Sequence, residues 1–265
     1  MAHYYDKNGK PCHTQPTKKG AKNPERPTTI RDAKKLKLFP SVSAITGILS
    51  KDWLAPWKVR ETMKEAFACP PIGSEDFDTW KRHVCAEADK KMAFPAEFGT
   101  LLHAEIEEYF TSLNGTLHSE YAAYIEPAIE HLEGLPDPVV ASERVVVNAE
   151  FGYAGTLDVE LQSGSLADFK STGSKPGKPM LAKEEHVVQL AAYFRAAHPH
   201  EPFQECRNIY ISRDEIGRIE VKVWTPEELD AGWEAFKLCL GLFRYRSGWD
   251  SRQNGKGQRA PKIDS

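Results

Sequence analysis

Asp158 closes the run Tyr153-Ala154-Gly155-Thr156-Leu157, and ten residues further on Asp168 and Lys170 stand two apart in Leu166-Ala167-Asp168-Phe169-Lys170-Ser171-Thr172. Residues two apart on a strand point to the same side, so Asp168 and Lys170 would share a face while Phe169 turns into the packing. A hairpin between the two segments would set Asp158 beside Asp168. Carboxylates brought that close repel each other unless a cation lies between them, and hard oxygen ligands of this kind suit Mg²⁺ or Mn²⁺. An ammonium on the same face could orient an attacking water and stabilise charge building up on a phosphoryl group. The alternative is a surface ion pair between Asp168 and Lys170, and geometry alone does not separate the two.

The acidic-x-Lys spacing is not specific, because Asp32-Ala33-Lys34, Asp89-Lys90-Lys91 and Glu220-Val221-Lys222 repeat it. The first lies in a segment poor in apolar residues, the second on an expected helix where residues two apart diverge. The third has no acid on a preceding strand at hairpin distance. His103 and Glu107 are one helical turn apart at the edge of an apolar stripe. His103 is there either a structural residue or a nitrogen ligand for the same cation, which would shift preference toward Mn²⁺. Gln189 and Tyr193, four apart, share one face of the helix after the strands, as a polar edge or as part of the site. Lys175 and Lys178 in the loop after Asp168, and Lys183 beyond it, could grip phosphates. Trp53 and Trp57 read first as core packing; with Lys34, Lys35 and Lys37 they would instead cover a single strand by stacking and charge.

The elements that must hold these residues follow from periodicity. Segments 139–147, 151–161 and 166–171 read as strands, with Gln162-Ser163-Gly164-Ser165 as the turn between the last two. Phe98, Leu102, Ile106, Tyr109 and Leu113 recur every three or four residues, predicting an amphipathic helix over 95–113 that Asn114-Gly115 ends. Further helices are expected near 40–49, 56–67, 74–91, 119–132 and 183–197, and a strand hairpin over 206–212 and 216–224. Thr225-Pro226-Glu227-Glu228 opens a last helix with a capping hydroxyl, a first-turn proline and first-turn acids. This order argues for an α/β sandwich on one mixed sheet. The expected organisation is a mobile basic arm over 1–38, a helical layer over 39–95, a core over 96–247 and a basic tail over 248–265.

Composition narrows the class. Hydrophobic residues at 40% and charged residues at 28% are ordinary for a globular enzyme. The net charge of −3 hides an asymmetry: residues 1–38 hold ten Lys and Arg against Asp6, Glu25 and Asp32, and residues 251–265 are also basic. Basic ends on an acidic body suit contact with a polyanion through selected surfaces, or solvated tails that aid solubility. Five scattered cysteines without a Cys-x-x-Cys pair, no apolar stretch of membrane-spanning length and no leader-like N-terminus predict a cytoplasmic protein, bacterial or in a phage-infected cell, without membrane contact.

Four ordered segments carry a resemblance over about residues 39–200: Gly99-Thr100-Leu101-Leu102-His103, Gly155-Thr156-Leu157-Asp158, Asp168-Phe169-Lys170-Ser171-Thr172 and Gln189-Leu190-Ala191-Ala192-Tyr193. Together they resemble the PD-(D/E)XK nuclease superfamily, in particular its RecB-like branch, which includes mitochondrial and phage exonucleases. Phe39-Pro40-Ser41-Val42-Ser43 followed by Trp57 is similar to the N-terminal segment of those proteins. The resemblance implies a restriction-endonuclease-like core, with His103, Asp158, Asp168 and the Phe169 carbonyl binding Mg²⁺ or Mn²⁺ and Lys170 assisting the water. It implies that Gln189 and Tyr193 shape the site or touch DNA, with Glu107 in support. The expected activity is exonucleolytic cleavage of single-stranded or free-ended DNA, with recombination or replication proteins as partners. The cysteines do not fit the four-cysteine iron–sulfur pattern of some relatives, so no cluster is expected, and no Gly-x-x-x-x-Gly-Lys-Ser/Thr motor motif is present. A catalytically inactive nucleic-acid-binding protein of the same fold, and a metal-dependent hydrolase of another substrate, are the competing readings.

Overall fold

The structure, a computed structural model, describes residues 3–18, 20–49, 54–112, 115–117 and 120–252. In chain order it runs β1 (Tyr4–Tyr5), β2 (Thr14–Pro16), β3 (Glu25–Pro27), α1 (Ile30–Leu36), β4 (Phe39–Pro40), α2 (Val42–Thr46), α3 (Leu54–Ala68), α4 (Phe77–Thr111) and α5 (Ala122–Glu133). There follow β5 (Val139–Asn148), β6 (Tyr153–Leu161), β7 (Leu166–Thr172), α6 (Glu184–Ala197), β8 (Cys206–Ser212), β9 (Ile219–Trp224) and α7 (Pro226–Ser247). The last five strands make one mixed sheet in the order β5-β6-β7-β8-β9, antiparallel except for the β7–β8 pair, which α6 connects. Parallel neighbours need such a crossover, whereas β5–β6–β7 and β8–β9 close through short turns.

Each sheet face buries its own apolar layer. Leu157 and Leu166 pack with α2, α6 and α7 through residues such as Val42, Phe194 and Phe236. Val159, Ala167 and Phe169 pack on the other side with α4 and α5 through Phe98, Leu102, Ile106 and Ile129. Phe169 is therefore buried, while Asp168 points to the opposite side of its strand with Lys170, as the period of two requires. The mixed α/β class and the five strands agree with the sequence expectation.

Two expectations are corrected. The helices expected over 74–91 and 95–113 are one helix, α4, with Pro95 inside it. A proline there removes one backbone hydrogen bond and ordinarily marks a boundary. The buried stripe Val84, Ala88, Phe98, Leu102 and Ile106 nevertheless keeps one helical register across it, so burial on both sides holds the helix together. Leu113, Asn114, Ser119 and Trp53 lie outside the described residues.

The arm expected over 1–38 is also folded where it is described. Tyr4 and Tyr5 are buried, β1 pairs with β4, and α1 carries a capping box between Thr29 and Asp32. Tyr4 packs with Ala33, Leu38 and Trp249, a cluster assembled from both ends of the chain. The expected tail begins in the same way: Trp249 is buried, the Ser251 hydroxyl donates to the Gly152 carbonyl, and residues 253–265 lie outside the described set. Among the described residues no helix is long and apolar enough to cross a membrane.

Two glycines let helices approach the sheet near the functional residues. A Cβ at Gly99 would lie 3.1 Å from the Ser171 hydroxyl, so α4 crosses β7 at that point and His103 follows one turn later. A Cβ at Gly155 would lie 2.5 Å from Cε1 of Tyr193 and 3.3 Å from Cγ2 of Val42. Gly155→Ala is expected to cost about 1–3 kcal/mol by overpacking, read from urea unfolding. A loss below about 0.5 kcal/mol, within the range of ordinary surface substitutions, would contradict this packing of α6 on β6.

Candidate metal and phosphodiester site

The β6–β7 ladder pairs Val159 with Ala167 and Glu160 with Leu166 and stops short of Asp158. There Oδ2 of Asp158 accepts the Phe169 amide at 2.8 Å, so the carboxylate takes a donor that a continuing ladder would have used. On β7, Nζ of Lys170 lies 2.8 Å from Oδ1 and 2.6 Å from Oδ2 of Asp168. Asn208 on the neighbouring parallel strand donates to Oδ2 of Asp168 at 2.7 Å, and its own amide oxygen accepts from Trp224 Nε1 at 2.7 Å. The buried Asp168 carboxylate is thus held by two donors and fixed from behind by the indole.

His103 projects from α4 onto the same place. Its Nδ1 lies 3.5 Å from Oδ2 of Asp158 and 3.8 Å from Oε1 of Glu143, and its ring meets Phe169 edge-on at 6.4 Å between centroids. His103, Glu143 and Asp158 each offer a ligand atom within 4.8 Å of the others. Glu143 is the residue that sequence reasoning missed. The register pairs Ser142 with Val159 and Arg144 with Leu157, which leaves Glu143 directly opposite Asp158. It also has φ 47°, a left-handed backbone that ordinary residues adopt at a cost of order 1–3 kcal/mol and that tends to collect at functional positions. Its only sequence signal is one acid in a strand of valines, which acquires meaning once the hairpin register is known.

The electrostatics are those of a site short of positive charge. The adjacent Asp158 carboxylate raises the His103 imidazole to about 9 against the opposing effect of burial, with Glu143 adding to the rise. Burial pushes the Asp168 carboxyl up, with Lys170 opposing. Burial pushes the Lys170 ammonium down, but Asp168 and Asp158 more than reverse it, so Lys170 stays charged. A proton on His103 therefore supplies the positive charge that opposed carboxylates demand. One imidazole and two carboxylates are also a suitable donor set for a divalent ion, which would take the proton's place.

That competition has a sign. The folded-state pKa of His103 lies above its ordinary value of 6.5, so the ion pair with Asp158 is complete below pH 6.5 and lost as pH rises through about 9. Metal binding must expel this proton, so Mn²⁺ affinity is expected to rise by up to about tenfold per pH unit between pH 6.5 and 8.5. Isothermal titration at several pH values checks this. A flat profile would contradict competition at His103.

The remaining expected residues fall in different places. Gln189 Nε2 donates to Tyr193 Oη at 3.1 Å, and Tyr193 is packed against Gly155, its hydroxyl pushed up by burial. Gln189 lines a cleft of about 250 Å³ between α2 and α6 into which Lys170 and His186 also open. Glu107 is exposed on α4 and is not part of the carboxylate cluster. The loop bearing Lys175 and Lys178 is tied down through its backbone: both carbonyls accept from Arg218, at 3.1 and 2.5 Å, leaving the two lysine residues exposed. Lys183 is the N-cap residue of α6 and exposed, and Trp57 is half-buried on α3. The competing acidic-x-Lys spacings make other pairs: Asp32 with Arg26, Glu220 with Arg218 and Lys222 with Glu228.

The fold and site thus define a mixed α/β protein with one central sheet and a cluster of acids, an imidazole and a half-buried lysine where two strands separate. No known family model matches the chain, and no curated protein matches it. Among solved structures, SSO0001 is similar at 13% identity and TM-score 0.30, covering 70% of this chain and 85% of that one. An alkaline exonuclease from Laribacter hongkongensis (LHK-Exo) is similar at 15% identity and TM-score 0.30, covering 54% of this chain and 83% of that one. The same exonuclease in complex with dAMP gives 14% identity and TM-score 0.29, with 55% and 91% covered. Similarity at this level leaves the activity to be argued from the site alone.

Proposed function

We propose that this protein is a divalent-metal-dependent nuclease of the PD-(D/E)XK type, RecB-like, with a restriction-endonuclease-like core, that removes nucleotides from single-stranded DNA ends. The observation that carries the reading is the half-buried Lys170 ammonium paired with the buried Asp168 carboxylate, beside the His103–Glu143–Asp158 cluster at the point where β6 and β7 separate. His103, Glu143 and Asp158 would hold the ion, with Asp168 and the Phe169 carbonyl as further oxygen donors. Mg²⁺ or Mn²⁺ bound there supplies Lewis acidity toward a phosphoryl oxygen and makes water a better nucleophile.

The chain's own groups do the rest. Asn208, itself held by Trp224, keeps the Asp168 carboxylate in one orientation. Asp168 in turn keeps the Lys170 ammonium charged and aimed along the strand face that opens into the cleft. From there Lys170 orients a water and stabilises negative charge on the phosphoryl group in the transition state. The apolar layer under Phe169 shields one side of the site from solvent, which strengthens each of these interactions. Gln189 and Tyr193 set the wall next to Lys170, and Lys175, Lys178 and Lys183 lie on the segment leading from β7 to α6, where they would meet flanking phosphates.

Labelled linear and circular single-stranded DNA, incubated with the protein in Mn²⁺, Mg²⁺ or EDTA, tests this. The linear strand should be degraded with either metal and spared in EDTA, and the circle should resist. Cleavage that survives EDTA would overturn the metal mechanism, and equal rates on circle and linear strand would overturn the exonuclease assignment. Binding without cleavage in any metal would favour an inactive nucleic-acid-binding protein.

A further inference from the structure

We propose that the cleft over Lys170 is one end of a longer groove, running across α2 to the end of α7, that seats a single nucleic-acid strand; this rests on the nuclease reading above. A second cavity of about 560 Å³ adjoins the cleft, and Ser43 and Gly47 line both. Its walls are the apolar side chains of Ile30, Ile48 and Phe243, with Arg246 and Ser247 from the last turn of α7. Lys34 donates to the Ser247 carbonyl at 2.6 Å, bringing a second cation to that end.

The order of chemistry along the groove identifies the occupant. A cation stands at the reacting end, apolar and aromatic surface lies in the second cavity, and cations return at Arg246 and Lys34. A single strand offers the same alternation, with phosphates for the cations and base faces that stack on apolar and aromatic side chains. Among the described residues, Glu185 is the one acid lining either cavity, and it lies at the reacting end beside His186 and near Lys170. Among the described residues, the far stretch has no acidic lining group. Gly47 leaves the junction between the cavities without a side chain; its φ of −59° is open to any residue, and a Cβ there would lie 3.1 Å from the Ser43 carbonyl, so the turn must shift by a few tenths of an ångström to admit one.

The test measures binding of a labelled oligothymidylate of about 20 nucleotides in EDTA, for the unaltered protein, Gly47→Glu, Arg246→Glu and Arg82→Glu. Arg82 is exposed on α4 and lines neither cavity, so it controls for the change in net charge. Gly47→Glu and Arg246→Glu are expected to weaken binding at least about fivefold, with Arg246→Glu lowering the salt slope by about 0.7 for one lost phosphate contact. Arg82→Glu should bind like the unaltered protein. Equal weakening by all three, no weakening by the two groove variants, or no binding by the unaltered protein would each overturn the groove. Hydrolysis of bis(p-nitrophenyl) phosphate by the unaltered protein in Mn²⁺ reports separately on the nuclease reading. If that hydrolysis and DNA cleavage are both absent, the nuclease reading falls whatever the binding comparison shows.

Discussion

Lys170→Met is expected to slow DNA hydrolysis at saturating DNA by about 10²–10³-fold or more while binding of Mn²⁺ changes by less than about threefold. Among the described residues, the ammonium is the one Lys or Arg cation lining the cleft, and methionine keeps most of its apolar stem. Asp168 would lose Lys170 but keep the Asn208 amide, so its carboxylate is not wholly stranded. Removing one member of a pair this buried still costs stability, about 3–5 kcal/mol at full burial, and Lys170 is 22% exposed. Rates are therefore compared at a temperature where circular dichroism shows both proteins folded. Cleavage by Lys170→Met at the unaltered rate would remove this lysine from the chemistry.

Asp158→Asn carries the second large effect. Its amide oxygen can still accept the Phe169 amide, so the opening of β6 from β7 is preserved. The charge that opposes His103 and would hold the ion is gone. An ion present at about 100 times its dissociation constant stabilises the folded chain by about 2.7 kcal/mol. The melting-temperature rise on adding Mn²⁺, clear in the unaltered protein, is therefore expected to disappear in Asp158→Asn, together with cleavage. A full Mn²⁺ shift in this variant would place the ion elsewhere.

Much of the frame that positions these groups is legible in the sequence, for identifiable reasons. Strands β6 and β7 are apolar runs separated by a four-residue turn, and the start of α7 announces itself because Thr225 and Glu228 cap each other around Pro226. Asp168, Lys170 and Phe169 fall on opposite strand faces by period alone. Less legible are features that exist only through tertiary contact. The described N-terminal residues are polar in composition, yet Tyr4 and Tyr5 find burial against Trp249 and β4, partners far away in sequence. Pro95 signals a break that the buried stripe of α4 overrides. Glu143 belongs with Asp158 only through strand register, and Asn208 reaches Asp168 only because β8 runs parallel beside β7.

The proposed chemistry requires a divalent ion among His103, Glu143 and Asp158. A crystal grown with Mn²⁺ and measured near the manganese absorption edge tests this directly. An anomalous peak at roughly 2.1 Å, the distance of hard-ion coordination, from the His103 nitrogen and from the Glu143 and Asp158 oxygens is the predicted result. A Mn²⁺ peak bound elsewhere on the chain, or none at a concentration that supports cleavage, would contradict it.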